Sequence, residues 1–235
     1  MTDFFVKVFH ANPEAVKNYF AMLHAMLNGS LTTLSIFFLT LLFSIPLALI
    51  VAFGRMSKNR ALSGVTNIFL LIIRGTPLML QLLTVYFVPK LIAVKFFHSP
   101  INWSSYIAAI VAFSINYSAY FAEIYRGGIE SIPHGQYEAA NVLGYTGSQT
   151  FFRIVLPQVV KRIVPAMGNE VITLVKDTSL VTILSVQELM YFAKSSSNRM
   201  VSFTPLLIAG VFYFVMNWLV SLVFAKLEKK LSYYK

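Results

Sequence analysis

Three long stretches of the chain carry no charged side chain. No Asp, Glu, Lys or Arg lies between Lys17 and Arg55, between Lys95 and Glu123, or between Arg199 and Lys226. Each stretch exceeds the roughly 20 apolar residues that an α-helix needs to cross a bilayer. The composition agrees, because 57% of the residues are hydrophobic and only 12% are charged. The sequence therefore predicts an all-α integral membrane protein.

We expect about five transmembrane helices. The predicted spans are approximately 29–53, 62–88, 106–122, 163–186 and 205–224. Arg74, Gly75 and Pro77 interrupt the second of them, so an alternative is a short interfacial helix followed by a span that starts near Pro77. The chain then divides into three parts. Residues 1–28 form an amphipathic interfacial segment rather than a signal peptide. Residues 29–225 form a transmembrane domain with a long cytoplasmic loop at 123–162, and residues 226–235 form a cytoplasmic tail.

Lys and Arg in the connectors predict the orientation. The turn after the first span, the loop 123–162 and the tail hold more of these cations than the connectors on the opposite side. Because connectors rich in Lys and Arg stay in the cytoplasm, we expect the N-terminus outside and the C-terminus inside. The net charge of +10 does not indicate a nucleic-acid partner, since the cations form no patch interleaved with aromatic residues.

The long loop contains a spaced motif. It reads Glu138, Ala139 and Ala140, then Gly144 after three residues, then IVLP at 154–157. Residues 133–135 predict a turn, the following residues have helical composition, and Gly144 breaks that helix. The two alanines would let another protein approach closely, so the helix suits a groove in a partner. An ordinary connector helix lying on the membrane is the alternative.

This spacing resembles the EAA motif of permease subunits of type I ABC importers. Three more segments resemble permeases for polar amino acids of the histidine, arginine and glutamine type: RGTPL at 74–78, AEIYRGGI at 122–129 and KDTSL at 176–180. The resemblance extends from Gly29 to about Lys230. It implies that Glu138 to Gly144 form a coupling helix that sits in a cleft of an ATPase subunit.

The resemblance further implies a transporter subunit of a bacterial cytoplasmic membrane, not an enzyme. Its partners would be a dimer of ABC ATPase subunits, a second permease chain, identical or homologous, and an extracytoplasmic amino acid-binding protein. No G-x-x-x-x-G-K-[ST] occurs in the chain, so ATP and Mg would be bound by the ATPase. No cofactor or metal is expected here, because the four histidines show no ligand spacing. An ion-coupled secondary amino acid transporter is the alternative, although such carriers usually have inverted repeats and more spans.

Polar residues within the predicted spans are the candidates for the substrate pathway. On the fourth span Glu170, Thr173 and Asp177 lie near one helical face, and Asn169 and Lys176 share a second face. A charge at the bilayer centre costs about 2.5–3.5 kcal/mol against lipid, so these side chains line water or pair with one another. We expect Glu170 to face a polar cavity that receives the substrate's ammonium group, which mildly favours a cationic substrate.

Most of the other polar candidates have two readings each. Lys176 and Asp177 suit a structural or gating role, in which Asp177 or Glu170 neutralises Lys176 or Arg74. Arg74 is a hinge or a contact for the substrate carboxylate, or else a cation that reaches the interface. Cavity walls and helix-packing hydrogen bonds are the two interpretations of Asn116, Tyr117 and Tyr120, and Gln81 is expected to line the pathway.

Overall fold

The computed structural model describes residues 13–231, and these residues are almost entirely helical. The helices are α1 (Pro13–Arg55), α2 (Arg60–Gly75), α3 (Leu78–Phe97), α4 (Ser105–Glu130), α5 (His134–Val142), α6 (Leu156–Asp177), α7 (Leu189–Met200) and α8 (Thr204–Leu231). A single turn, Gly147–Gln149, and a π-helical segment, Thr150–Val155, lead into α6, and a 3-10 helix, Thr178–Leu184, follows it.

Four of these helices are long and apolar enough to cross a membrane in the described part of the chain. They are α1 from Val16 onward, α3, α4 and α8. α6 does not belong to this group because it carries too many charges. Its 22 residues would nevertheless span about 33 Å, and it packs against both α4 and α8. The predicted all-α membrane fold is confirmed.

Several helix boundaries differ from the predicted ones. α1 is continuous across residues 28–29, so no helix end separates the predicted interfacial segment from the first span; residues 1–12 of that segment lie outside the described residues. α4 continues to Glu130, inside the predicted loop, because Arg126 pairs with acidic side chains one turn away on either side. α8 passes the predicted start of the tail and reaches Leu231; residues 232–235 also lie outside the described residues.

The predicted second span is two helices. α2 ends at Gly75 and α3 begins at Leu78, which is the alternative that the sequence left open. Thr76 is extended, with φ −116° and ψ 147°, because the residue before a proline is excluded from the helical region. Pro77 then precedes the first turn of α3.

The predicted fourth span is displaced. α6 begins at Leu156 and ends at Asp177, and the chain continues as a 3-10 helix. The hydroxyls of Thr178 and Ser179 donate to the carbonyls of Val175 and Lys176 at 2.6 and 2.7 Å. Such local side-chain bonds compete with the α-helical pattern, which explains why the helix tightens at this point.

α4 lies at the centre of the bundle. It packs along α1 and also contacts α2, α3 and α6. Five of its alanines are almost fully buried, and small residues let neighbouring helices approach closely. Phe113, Tyr117 and Phe121 fill the space between them. This position makes α4 the element against which the polar residues of the other helices are placed.

Candidate functional site

Tyr117 and Asp177 meet inside the bundle. The Tyr117 hydroxyl donates a hydrogen bond of 2.8 Å to Oδ2 of Asp177. Tyr117 is only 2% exposed, and Asp177 is the last residue of α6. The bond therefore ties the end of α6 to the centre of α4. The structure thus joins two pathway candidates that lie on different predicted spans.

Arg74 lies near Tyr120, whose ring neighbours that of Tyr117, and it forms an ion pair with Glu123. Its Cζ is 5.6 Å from the centroid of the Tyr120 ring, and its Nη1 is 3.5 Å from Oε2 of Glu123. Among the described residues, neither Glu170 nor Asp177 forms an ion pair with it. The direct partner of Arg74 is therefore a residue outside the sequence-based candidates, and its neutralisation by Glu170 or Asp177 stays a prediction. Glu123, one helical turn after Tyr120, takes that position.

Glu123 is shared with a second arginine. Arg126 donates to it twice, from Nε at 3.3 Å and from Nη2 at 2.8 Å, and also donates to Glu130 through Nη1. A bidentate arginine–carboxylate contact is stronger than a single contact. The carboxylate of Glu123 therefore accepts hydrogen bonds mainly from Arg126. The contact of Glu123 with Arg74 is the weaker of the two.

A cleft opens between α1, α2 and α4 around this network. Its volume is about 390 Å³, within the 300–1,000 Å³ that is typical of small-molecule sites. Its lining residues are Arg55, Asn67, Leu70, Leu71, Arg74, Gly75, Tyr120 and Glu123. The cleft thus offers cationic and anionic groups to the same occupant.

Gln81 and Asn116 form hydrogen bonds at the break between α2 and α3. The Gln81 amide nitrogen donates to the carbonyl of Ile73 at 2.7 Å and to the hydroxyl of Thr76 at 2.8 Å. Asn116 in turn donates to the Gln81 amide oxygen at 2.9 Å. A helix break leaves backbone groups that need partners within a membrane. These two side chains therefore supply hydrogen bonds at the helix break, and their place in the substrate pathway stays a prediction.

The remaining candidates of α6 lie on a face that the rest of the described chain leaves open. Asn169 is exposed, and Glu170 and Thr173 are half-buried. The Thr173 hydroxyl donates to the carbonyl of Asn169 at 3.0 Å. Glu170 forms no hydrogen bond or ion pair with the residues that the structure describes. Its carboxylate is thus available to a ligand or to another chain.

The motif of the long loop forms α5. Glu138 and Ala139 are exposed, whereas Ala140 is 1% exposed. Ala140 packs inside the chain, so Glu138 and Ala139 are the accessible members of this triplet, and the coupling role of the motif stays a prediction. α5 starts at His134, within the segment that was predicted as a turn.

Gly144 ends α5 in the way that its sequence position predicts. Its φ is +77°, a left-handed conformation that glycine adopts without steric cost. Its N–H donates to the Asn141 carbonyl and the N–H of Tyr145 donates to the Ala140 carbonyl, both at 3.0 Å. This pair of bonds is a Schellman motif. The motif fixes where the exposed face of α5 stops.

The base of α5 is attached to α6. The Gln158 amide nitrogen of α6 donates to the Gln136 amide oxygen of α5 at 3.2 Å, and Tyr137 of α5 packs against the cluster of Ile132, Val155 and Val159. These contacts join α5 to the start of the helix that carries Glu170 and Asp177.

A comparison with known proteins identifies this arrangement. Residues 44–233 match the family described as binding-protein-dependent transport system inner membrane component. The chain belongs to this family. The predicted permease class is thus confirmed, as are the role of a transporter subunit in place of an enzyme and the placement in the inner membrane. Membership also rules out the alternative of an ion-coupled secondary carrier.

Relatives within this transport family support the predicted resemblance to polar amino acid permeases. The L-cystine transport system permease protein TcyB of Bacillus subtilis is 36% identical over 210 residues, 88% of this chain and 86% of that protein. The arginine transport system permease protein ArtQ of the same species is 33% identical over 209 residues, 88% and 92% of the two chains. A crystal structure of an amino acid ABC transporter with histidines has a TM-score of 0.79 at 30% identity and covers 94% of this chain and 99% of its own.

Two acidic residues of this transport component were missing from the sequence-based candidates. Glu123 could have been found from its spacing to Arg126, which predicts an ion pair on a helix surface. Glu188 is the only acidic residue between Asp177 and Glu228, and it is completely buried. Its isolation in an apolar stretch was the available signal, because a carboxylate in such surroundings needs several donors.

Proposed function

We propose that this chain forms one half of the membrane pathway of an ATP-driven importer for polar amino acids. The observation that carries the proposal is the unbroken series of contacts from Arg74 through the rings of Tyr120 and Tyr117 to Asp177. It links a guanidinium to a carboxylate through two aromatic rings. A free amino acid carries one charge of each sign and can use both.

Arg74 and Asp177, the first and last residues of this series, suit the carboxylate and the ammonium group of an amino acid. Arg74 is 45% exposed and has one ion-pair contact among the described residues, so most of its five donors remain for the substrate carboxylate. Asp177 uses Oδ2 for Tyr117, and Glu170 on the open face of α6 adds a second carboxylate. These two acids would receive the ammonium group. Cystine and arginine, which the two Bacillus relatives transport by name, both carry these α-amino and α-carboxyl groups.

The exposed face of α5 is the proposed docking site of the ATPase. Next to Glu138 and Ala139 it presents Val142 and Leu143, which are 87% and 73% exposed. Adjacent exposed apolar side chains beside a charge mark a surface that another protein covers. Closure of an ATPase dimer on ATP and Mg would move two such helices together, and the attachment of α5 to α6 would carry the motion to the pathway.

A second permease chain, identical or homologous, would complete the pathway. The face of α6 that carries Asn169, Glu170 and Thr173 is open in a single chain, and charged groups are not stable against lipid. A partner across this face would enclose them. An extracytoplasmic binding protein would deliver the amino acid, with the N-terminus of this chain outside and the C-terminus in the cytoplasm.

Uptake by the complete complex tests the substrate assignment. The chain, its ATPase and its binding protein would be reconstituted in proteoliposomes with labelled amino acids. We expect Arg74→Gln and Asp177→Asn each to raise the KM for uptake at least about tenfold, since each removes a charge that faces the substrate. Arg60→Gln, at the exposed opposite end of α2, is the control. An unchanged KM in both pathway variants would disprove the assignment.

Co-purification and ATP hydrolysis test the docking site. Glu138→Lys should reduce ATPase binding and substrate-dependent hydrolysis, because it reverses the charge on the exposed face of α5. Glu228→Lys makes the same change on the exposed end of α8 and should have little effect. If Glu138→Lys retains full binding and coupled uptake, α5 is not the coupling helix.

A further inference from the structure

Glu188 is a fully buried carboxylate that the proposed transport mechanism does not use. It lies between the 3-10 helix and α7, and none of its surface is exposed. Among the described residues no Lys, Arg or His pairs with it. A carboxylate buried without a cation is retained only where several donors satisfy its oxygens.

Five donors from four parts of the chain converge on this carboxylate. Oε1 accepts from the hydroxyl of Thr182 at 2.7 Å and from the N–H of Tyr191 at 2.8 Å. Oε2 accepts from the hydroxyl of Tyr213 at 2.9 Å and from the N–H of Met190 at 2.9 Å. The hydroxyl of Thr33 lies 3.2 Å from Oε2. The Glu188 side chain thus joins four elements, which are α1, the 3-10 helix, α8 and the first turn of α7.

The backbone next to Glu188 is also held against α1. A Cβ added at Gly29 would lie 2.9 Å from the carbonyl carbon of Glu188 and 2.9 Å from the nitrogen of Leu189. Only a glycine permits this approach. The Leu189 N–H also donates to the Thr33 hydroxyl at 3.3 Å. Glu188 is therefore fixed through its backbone as well as its side chain.

The segment 178–187 connects this cluster directly to Asp177. It has no α-helix, and Ser185 at the end of the 3-10 helix adopts φ +57°. Buried residues at 184 and 186 alternate with Ser185 and Gln187, which are exposed. The segment is thus joined to Tyr117 of α4 through Asp177 at its near end, and to α1 and α8 through Glu188 at its far end.

We propose that Glu188 is a positioning residue for the transport pathway. Its carboxylate clamps the far end of the segment 178–187 to α1 and α8, while the Tyr117 bond holds the near end at Asp177. The clamp sets where the segment lies and, through it, where Asp177 meets the substrate. This inference rests on the proposed pathway role of Asp177.

A spin label in the segment measures the clamp directly. The chain has no cysteine, so Gln187→Cys provides the single labelling site of this chain, which is labelled in detergent before the complete complex is assembled in nanodiscs. Ile68→Cys, on the exposed face of α2, is the matched control site. We expect Glu188→Gln to increase the mobility of the label at 187 at least about twofold and to leave the label at 68 unchanged, because the amide loses one acceptor oxygen.

Uptake kinetics measure the consequence for the pathway. Glu188→Gln should raise the KM for uptake at least about threefold. Glu188→Asp should raise the KM less, because it keeps the carboxylate. Tyr213→Phe removes a single donor and should shift label mobility and KM in the same direction by a smaller amount. If the complex with Glu188→Gln does not assemble, the label mobility and the KM of Tyr213→Phe decide whether the clamp exists.

The results separate this inference from the pathway assignment. If Asp177→Asn raises KM while Glu188→Gln and Tyr213→Phe leave both KM and the mobility at 187 unchanged, the clamp is wrong and the pathway stands. Equal loosening at 187 and 68 would show a general loss of structure and would also overturn the positioning role. If Asp177→Asn leaves KM unchanged, the pathway role of Asp177 fails and the inference fails with it.

Discussion

Tyr117 and Asp177 are 60 residues apart in the sequence, and a hydrogen bond of 2.8 Å joins the phenolic hydroxyl of the first to the carboxylate of the second. The bond connects the buried centre of α4 with the point where α6 gives way to a 3-10 helix. The proposed substrate site and the clamp at Glu188 both depend on this junction.

Removal of the Tyr117 hydroxyl should weaken the junction. We expect Tyr117→Phe to destabilise the chain by about 1–2 kcal/mol, since hydrogen bonds within membrane bundles are modest and those to charged groups are stronger. Thermal unfolding of the purified chain in detergent measures the change. Tyr120→Phe is the control: the Tyr120 hydroxyl has no hydrogen bond to a described residue, and the change keeps the ring beside Arg74. Equal stability of the two variants would contradict the prediction.

Loss of the Gln81 amide should destabilise the break between α2 and α3. Gln81→Leu keeps the approximate size but leaves the Ile73 carbonyl and the Asn116 amide without their partner, and we expect a cost of about 1–3 kcal/mol. Thr84→Val, one turn later, removes a hydroxyl that bonds only the Leu80 carbonyl of its own helix. It should be nearly neutral. Denaturation of both variants in detergent, in parallel with the parent chain, checks the difference.

Gly144 should be more sensitive to substitution than Gly147. A Cβ has open space at both positions, but only Gly144 has a positive φ. Gly144→Ala should cost about 1–2 kcal/mol because an L-residue is strained there, and it should lower ATPase co-purification by disturbing the end of α5. Gly147→Ala should retain parental stability and binding. A Gly144→Ala variant with parental binding would show that the Schellman motif is not needed for docking.

Gly29 should not tolerate a methyl group. In Gly29→Ala the new Cβ would meet the backbone of residues 188–189, which cannot move aside as a side-chain tip can. Overpacking of this kind costs about 1–3 kcal/mol. Gly210→Ala in α8 places a Cβ in open space and should be neutral or slightly stabilising. The apparent Tm of each variant in detergent distinguishes them, and similar values would argue against the close approach of α1.

The helices themselves were largely predictable. Charge-free stretches located most of α1, α4 and α8, because the need for about 20 apolar residues across a bilayer is a local requirement. The boundaries were less predictable, since nothing in the sequence at residues 28–29 ends a helix and intrahelical pairs extend α4 beyond Glu123. The burial of Ala140 also escaped prediction, because it depends on which face of α5 packs against the π-helical segment Thr150–Val155.

The sequence by itself determined the membrane location and the end of α5 at Gly144, and it offered the break at Thr76–Pro77 as an alternative to a single span. Hydropathy, proline geometry and glycine conformation act within a few residues, so they can be read along the chain. The tertiary structure alone decided that Arg74 pairs with Glu123, that Tyr117 holds Asp177 and that Glu188 collects donors from α1, α7 and α8. The reason is physical: a polar side chain in an apolar bundle bonds to whatever group helix packing brings within about 3 Å, and that packing joins residues far apart in sequence.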